Sequence, residues 1–367
     1  LTHGDSGLPA RRHAQESRLI SQGRSMSSFY SSNFSDKLFQ IIIVALVVSV
    51  TGLADSAASA QSTDGAPLEI EAKISLGNVR GRIDHMAVDL KRQRLFVAEL
   101  GNDSVGVIDL ANRSLSRTIR GLKEPQGVGY EPSTDTLFVA NAHDGSVRLF
   151  DGNEYKAIGR LELGSDADNI RIESTTKRIV IGHGDGALAF IDPSTRSKLW
   201  DTPLKAHPES FQIVQDRIFV NLPNAHAVAV VDGNSGKPVA NWPMAKRGNF
   251  AMAVDRDRSR LLVAFRDPPE LVVLDISEGK PVAATETCGD VDDLFVDPKR
   301  DRVYVSCGAG FVDVFETKGT TYRHMTRIPT SAGARTSLFV AEMDRLLVAV
   351  RGGPTEPAAI WMFKPMP

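Results

Sequence analysis

Asp84–His85, Asp168–Asn169 and Asp292–Asp293 are pairs of side chains that hold hard cations, take up protons or orient polar ligands. Arg335 adds a guanidinium suited to a carboxylate. His143 beside Asp144, His183 near Asp185, and His226 offer imidazoles of the kind that ligate zinc or copper. Cys288 and Cys307 are the two thiols. No local motif binds any of these into a site: the chain has no Cys-x-x-Cys, no Gly-x-Ser-x-Gly elbow and no phosphate loop. Residues so scattered do chemistry together only if a fold gathers them.

The elements that would gather them repeat. RLFVAELGNDSVGVIDL begins at residue 94, and related runs begin at 136, 178, 217, 260, 302 and 345. The spacings are 42, 42, 39, 43, 42 and 43 residues. Each unit holds four short runs rich in Val, Ile and Phe, separated by Gly-, Asp- and Asn-bearing turns, which is strand grammar. A period near 42 residues made of four strands is that of a propeller blade. No unit has room for the crossover helix of a parallel sheet. The fold class is therefore all-β, a seven-bladed β-propeller. The seventh unit stops one strand short, and LEIEAKISLG (68–77) is a spare strand that closes the last blade from the N-terminal side.

The repeats LFVAELGNDSVGVIDL (95–110) and LFVANAHDGSVRLFD (137–151) resemble the YncE-like, YVTN-repeat family of seven-bladed propellers, common among exported bacterial proteins. The resemblance covers about residues 68 to 363. The Tyr-Val-Thr-Asn core is degenerate here, as LFVAN, IFVNL and VYVSC. What the resemblance implies is a fold and export; it carries no reaction or catalytic set.

In such a blade the first strand lines the central channel, and the loop before it shares a face with the loop between strands two and three. Counting back from each second strand aligns Asp84, Gln126, Asp168, Ser210, Phe250, Asp292 and Arg335. The next position holds His85, Gly127, Asn169, Phe211, Ala251, Asp293 and Thr336. The expected channel-mouth site is thus Asp84, His85, Gln126, Asp168, Asn169, Asp292, Asp293 and Arg335. Asp84, Asp168 and Asp292 could ligate Ca²⁺ or another divalent cation, whereas Arg335 suits an anionic or zwitterionic ligand. Solvated turns would use the same residue types. His143, His183 and His226 lie in consecutive blades but farther from the axis, and His-Asp-Gly is a good hairpin turn in its own right.

Cys288 and Cys307 fall at neighbouring points of blade 6, one before its first strand and one ending its second. In an exported chain this predicts a disulfide. Lys37 before the apolar run 38–54, with Ala58 and Ala60 after it, reads as a signal peptide cleaved before Gln61. Met26 suggests that residues 1–25 are an upstream extension. The division is then 1–60 signal segment, 61–67 linker and 68–367 propeller, with no membrane span after cleavage and a periplasmic or secreted location. Beyond residue 60 the chain has 38 basic and 41 acidic side chains, which gives no general pull toward nucleic acid. The clusters Lys91–Arg92–Arg94 and Lys299–Arg300–Arg302 sit in turns on the opposite face. The expected function is a ligand-binding or protein-interaction module, its partner a small polar ligand or an envelope protein. The alternatives are a metal-dependent hydrolase or lactonase and a scaffold subunit of an envelope complex.

Overall fold

A computed structural model describes residues 65–354 and 356–367; the signal segment expected at 1–60 lies outside them. Seven four-stranded antiparallel sheets are present, and in six of them each strand pairs with the next in sequence. The innermost strands are Met86–Asp89, Pro125–Glu131, Ile170–Ile172, Phe211–Val214, Arg247–Asp255, Val291–Asp297 and Ser337–Val340, one for each of blades 1 to 7. Each touches its neighbours on both sides, and the first touches the last, so the ring is closed.

Alternation along the strands places the core. Inner and middle strands bury both faces, as in Leu95–Ala98 of blade 1 and Leu137–Ala140 of blade 2. Their apolar side chains divide into seven clusters, each spanning two adjacent blades. A propeller thus has a core at every interface, and each buried Leu, Val or Phe in it contributes about 1.5–3 kcal/mol. Outer strands alternate instead, with the pattern exposed–intermediate in Pro238–Pro243 and Pro281–Glu286. Trp200 stacks on Phe190 at 4.7 Å and Trp242 tilts against Phe219 at 5.5 Å, which makes both packing residues.

Blade 7 is closed as the sequence predicts. Leu68–Ser75 pairs antiparallel with Ala359–Pro365 and forms its outer strand. Residues after it, Leu76, Val79 and Ile83, are buried between blades 7 and 1.

The basic turns opposite the mouth are latches. Arg92 reaches Asp89 of its own blade at 2.8 Å and Asp135 of the next at 2.7 Å. Arg258 does the same with Asp255 and Asp301, and Arg300 with Asp297 and Asp344. At these three joints one guanidinium ties a strand end to the following blade. The charges of these three arginines are neutralised locally. Arg300 is the best buried of the three, and its hydrogen bonds hold the Asp344 carboxyl well below the usual carboxylate range. Replacing Arg300 by Met takes the guanidinium from two carboxylates, leaving Asp344 with Lys299 and Asp297 with Tyr304, and urea denaturation should show a loss of about 2–3 kcal/mol. A loss within about 0.5 kcal/mol would mean that the latch is a solvated pair.

Candidate functional site

The ring position found by counting is a β-bulge. In blade 1, Asp84 N–H donates to the Ala98 carbonyl, and Ala98 N–H donates back to the His85 carbonyl. Two residues oppose one, and the extra side chain is turned toward the mouth. The same pattern recurs at Asp168–Asn169 against Gly182. Register shifts place Gln126, Phe250 and Asp292 likewise in blades 2, 5 and 6. In blade 4 the bulged pair is Glu209–Ser210, opposite Asn221. The sequence alignment had Ser210–Phe211 there, one residue out of register. Blade 4 turns from Val214 to Arg217 with two residues between, where blade 1 uses four, and the count back was one short. The ring is therefore Asp84, Gln126, Asp168, Glu209, Phe250, Asp292 and Arg335, and Phe211 is a buried core residue.

Two charge groups share the mouth. On one side Asp84, Asp168 and Asn169 are almost wholly buried. His85 Nε2 stands 3.6 Å from Asp168 Oδ1 and 3.8 Å from Asp84 Oδ1, too far to bond either well. Arg82 Nη2 lies 2.7 Å from Asp84 Oδ2, but the angles do not make a hydrogen bond. His207 Nδ1 is 2.6 Å from the Gly184 carbonyl, and its Nε2 is 3.9 Å from Asp168 Oδ2. Gln126 Nε2 donates to Asp166 at 3.3 Å. Gly127 has no side chain for a physical reason: a Cβ there would sit 2.0 Å from the Asp168 carbonyl oxygen.

Burial governs the protons of this group. It raises Asp84 well above the usual carboxylate range, with Asp168 and Asp292 adding repulsion against the pull of Arg82. Glu209 is pushed up to about 8 by burial and by Asp168. Burial would raise Asp168 too, but His207, His85 and Arg82 outweigh it and hold it low. For His207, burial opposes the charge, yet Asp168, the Gly184 carbonyl and Asp166 prevail and lift it to about 9. At neutral pH the group thus carries a charged Asp168 and His207 beside a neutral Glu209, and burial disfavours the charge on Asp84.

The other side is an arginine pair. Arg335 Nη1 donates to Asp290 at 2.8 Å, and its Nε is 3.1 Å from Asp292 Oδ2. Arg266 hydrogen-bonds Asp292, donates to the Val291 carbonyl at 2.8 Å and covers the Phe250 ring at 3.4 Å. Asp292 is therefore committed to two guanidiniums. Among the described residues no three His, Cys, Asp or Glu side chains are gathered to hold a metal ion. In the Asp84–Asp168–Asp292 set expected from counting, Arg266 and Arg335 thus engage the third carboxylate.

Asp293 points the other way. It accepts the Ser337 N–H at 2.8 Å, and burial raises it to about 6. With His85 it borders a separate axial cavity. Cys288 and Cys307 form the expected disulfide, Cα to Cα 5.8 Å, which fastens the loop carrying Asp290 and Asp292. His183 is engaged by Asp201 at 3.2 Å, an outer-strand residue, and joins no histidine cluster. Arg82, His207, Arg266 and Asp290 were missed because they lie off the compared ring position. One signal was available for His207, since it and His85 are the histidines in the loops that lead into first strands.

No family model matches the chain, and no curated protein matches it either. Solved structures do. The chain is similar to one in Kuenenia stuttgartiensis Hydrazine Synthase, at 15% identity over 77% of this chain and 95% of that one, with TM-score 0.65. It is also similar to a chain of the Mitotic Checkpoint Complex, at 12% identity over 87% of this chain and 99% of that one, with TM-score 0.70. At such identities the likeness is one of fold, the seven-bladed β-propeller, a scaffold on which binding and interaction sites are built.

The proton assignments give a pH dependence of stability. Glu209 and His207 hold their protons more tightly folded than unfolded. Their contribution is whole below the ordinary values of 4.5 and 6.5 and is lost as pH rises through about 8 and about 9. Urea stability should fall between pH 6.5 and 8, by about 1.4 kcal/mol per pH unit for each engaged group. Glu209→Gln should flatten that slope; an unchanged slope would show that Glu209 ionises normally.

Proposed function

We propose that the chain is an exported binding module of the YncE-like, YVTN-repeat class, and that its channel mouth takes the primary ammonium group of a small polar ligand. The observation that carries this reading is a set of stranded acceptors. Asp168 Oδ1, Asn169 Oδ1 and Asp84 Oδ2 are buried without a hydrogen-bond donor. They line one recess, together with His85, Glu209 and Phe250. Buried acceptors without donors cost about 1–3 kcal/mol each, so a site that keeps three together favours whatever supplies N–H or O–H groups.

Size and charge narrow the choice. The free volume is about 10 Å³, enough for a single water-sized group. An –NH₃⁺ offers three donors and a charge for Asp168; a trimethylammonium offers neither donors nor the right size. The body of the ligand would stay at the rim, near Arg335 and Arg266. A hydrolytic reading is less well supported, because Arg266 and Arg335 engage one of the carboxylates and, among the described residues, no hydroxyl is hydrogen-bonded to His85 or His207.

Titration calorimetry with ethanolamine and n-propylamine, against choline, tests the reading. The primary amines should bind and choline should not. Asp168→Asn should weaken the amines at least about tenfold while far-ultraviolet circular dichroism stays unchanged. Equal binding of choline, or an unaffected Asp168→Asn protein, would sink it.

Export is supported by the apolar run 38–54 with Ala58 and Ala60, and by the disulfide. Expression with the native leader should yield a mature chain beginning at Gln61 in the periplasm or medium, read by intact mass. Full-length protein retained with the cells would count against a cleaved signal.

A further inference from the structure

Below the mouth the innermost strands enclose a second space. It has a volume of about 430 Å³, in the range of small-molecule sites, and all seven blades contribute to its wall. Met86, Val128, Ile170, Val254, Leu294 and Leu338 supply the apolar part of that wall, which polar groups share about equally. His85 and Asp293 border it on the mouth side. Arg256 follows the end of the innermost strand of blade 5, so it marks the opposite rim.

The charges inside are unlike those elsewhere in the ring. Arg92, Arg258 and Arg300 each hold two carboxylates. Arg171 and Arg256, which line the cavity, form no ion pair among the described residues. Arg171 Nη1 donates to the carbonyl of Ile170 at 2.9 Å, and Arg256 Nη2 to that of Ile213 at 3.3 Å. The face of Phe211 lies 5.7 Å from the Arg171 guanidinium. Gln212, the remaining amide in the wall, is spent on the Met252 carbonyl at 2.9 Å.

We propose that this axial cavity is a binding site for an organic anion with a hydrocarbon body, its carboxylate paired to Arg171 and its chain laid along the apolar wall. A guanidinium presents parallel N–H donors that match a carboxylate, and a pair set back from the surface is screened less than one on it. Burial pushes Arg171 below its usual value, with the charges of Asp293 and Asp168 only partly opposing this. An incoming carboxylate would relieve that desolvation. Arg256, exposed at the rim, would attract the anion without holding it. The site is distinct from the ammonium recess: it differs in charge, size and polarity, and His85 and Asp293 stand between.

Calorimetric titration of the mature chain with octanoate, 1-octanol and n-octylamine separates charge from hydrocarbon. Octanoate should bind at one equivalent and at least tenfold tighter than octanol, with octylamine weakest at this site. Arg171→Met should remove the preference for octanoate over octanol, Arg256→Gln should lower affinity no more than threefold, and Asp168→Asn should still bind octanoate at one equivalent and no more weakly. Arg171→Lys keeps the charge and loses the paired donors; it should bind octanoate threefold or more weakly, and it serves if the methionine variant does not fold. Equal affinity for octanoate and octanol, several equivalent octanoates per chain, or a tight site in both Arg171 variants would overturn the proposal. Loss of ethanolamine binding alone would leave it standing.

Discussion

A ring has to close, and here closure rests on one pairing between the two ends of the fold. Leu68–Ser75 lies against Ala359–Pro365, and behind it Ile74 and Leu76 pack with Leu347, Ala349 and Ile360. Six interfaces arise from neighbours in sequence; the seventh does not. Everything at the mouth depends on it, because Arg335 belongs to blade 7 and Asp84 to blade 1. If that seam parted, the guanidiniums beside Asp292 would move away from the carboxyls they help to order.

Within the closed ring, position is set by a small irregularity used repeatedly. The bulge at the start of each innermost strand gives one side chain per blade to the mouth, and the residue after it turns toward the channel wall or the core. That split explains why neighbours in sequence do different things. Asp292 joins the arginines at the top, whereas Asp293 caps the Ser337 amide and borders the axial space. It also accounts for the contrast between the ends of the ring. The latch face satisfies its charges joint by joint, and the mouth leaves three acceptors open.

Much of this was legible in the sequence, since a period near 42 residues with four strands per period has few physical solutions. The count of blades, the N-terminal strand in blade 7 and the Cys288–Cys307 bond all follow from positions in that repeat. Six ring positions could be read by counting, because their hairpin turns keep a constant length. Glu209 was lost where blade 4 shortens its turn, and no composition signal marks such a deletion. Counting along one repeat position also collects carboxylates without showing that Arg266, from a different loop, engages one of them. The axial cavity was not legible at all, since Arg171 reads as an ordinary strand charge until the seven inner strands are placed around it.

The pairing that closes the ring also fixes an order of events. The strand at Leu68 emerges from a ribosome or a membrane pore long before its partner at Ala359. Until then it has no sheet to join, and blade 7 cannot be finished. The chain is therefore barred from closing its ring ahead of its own completion.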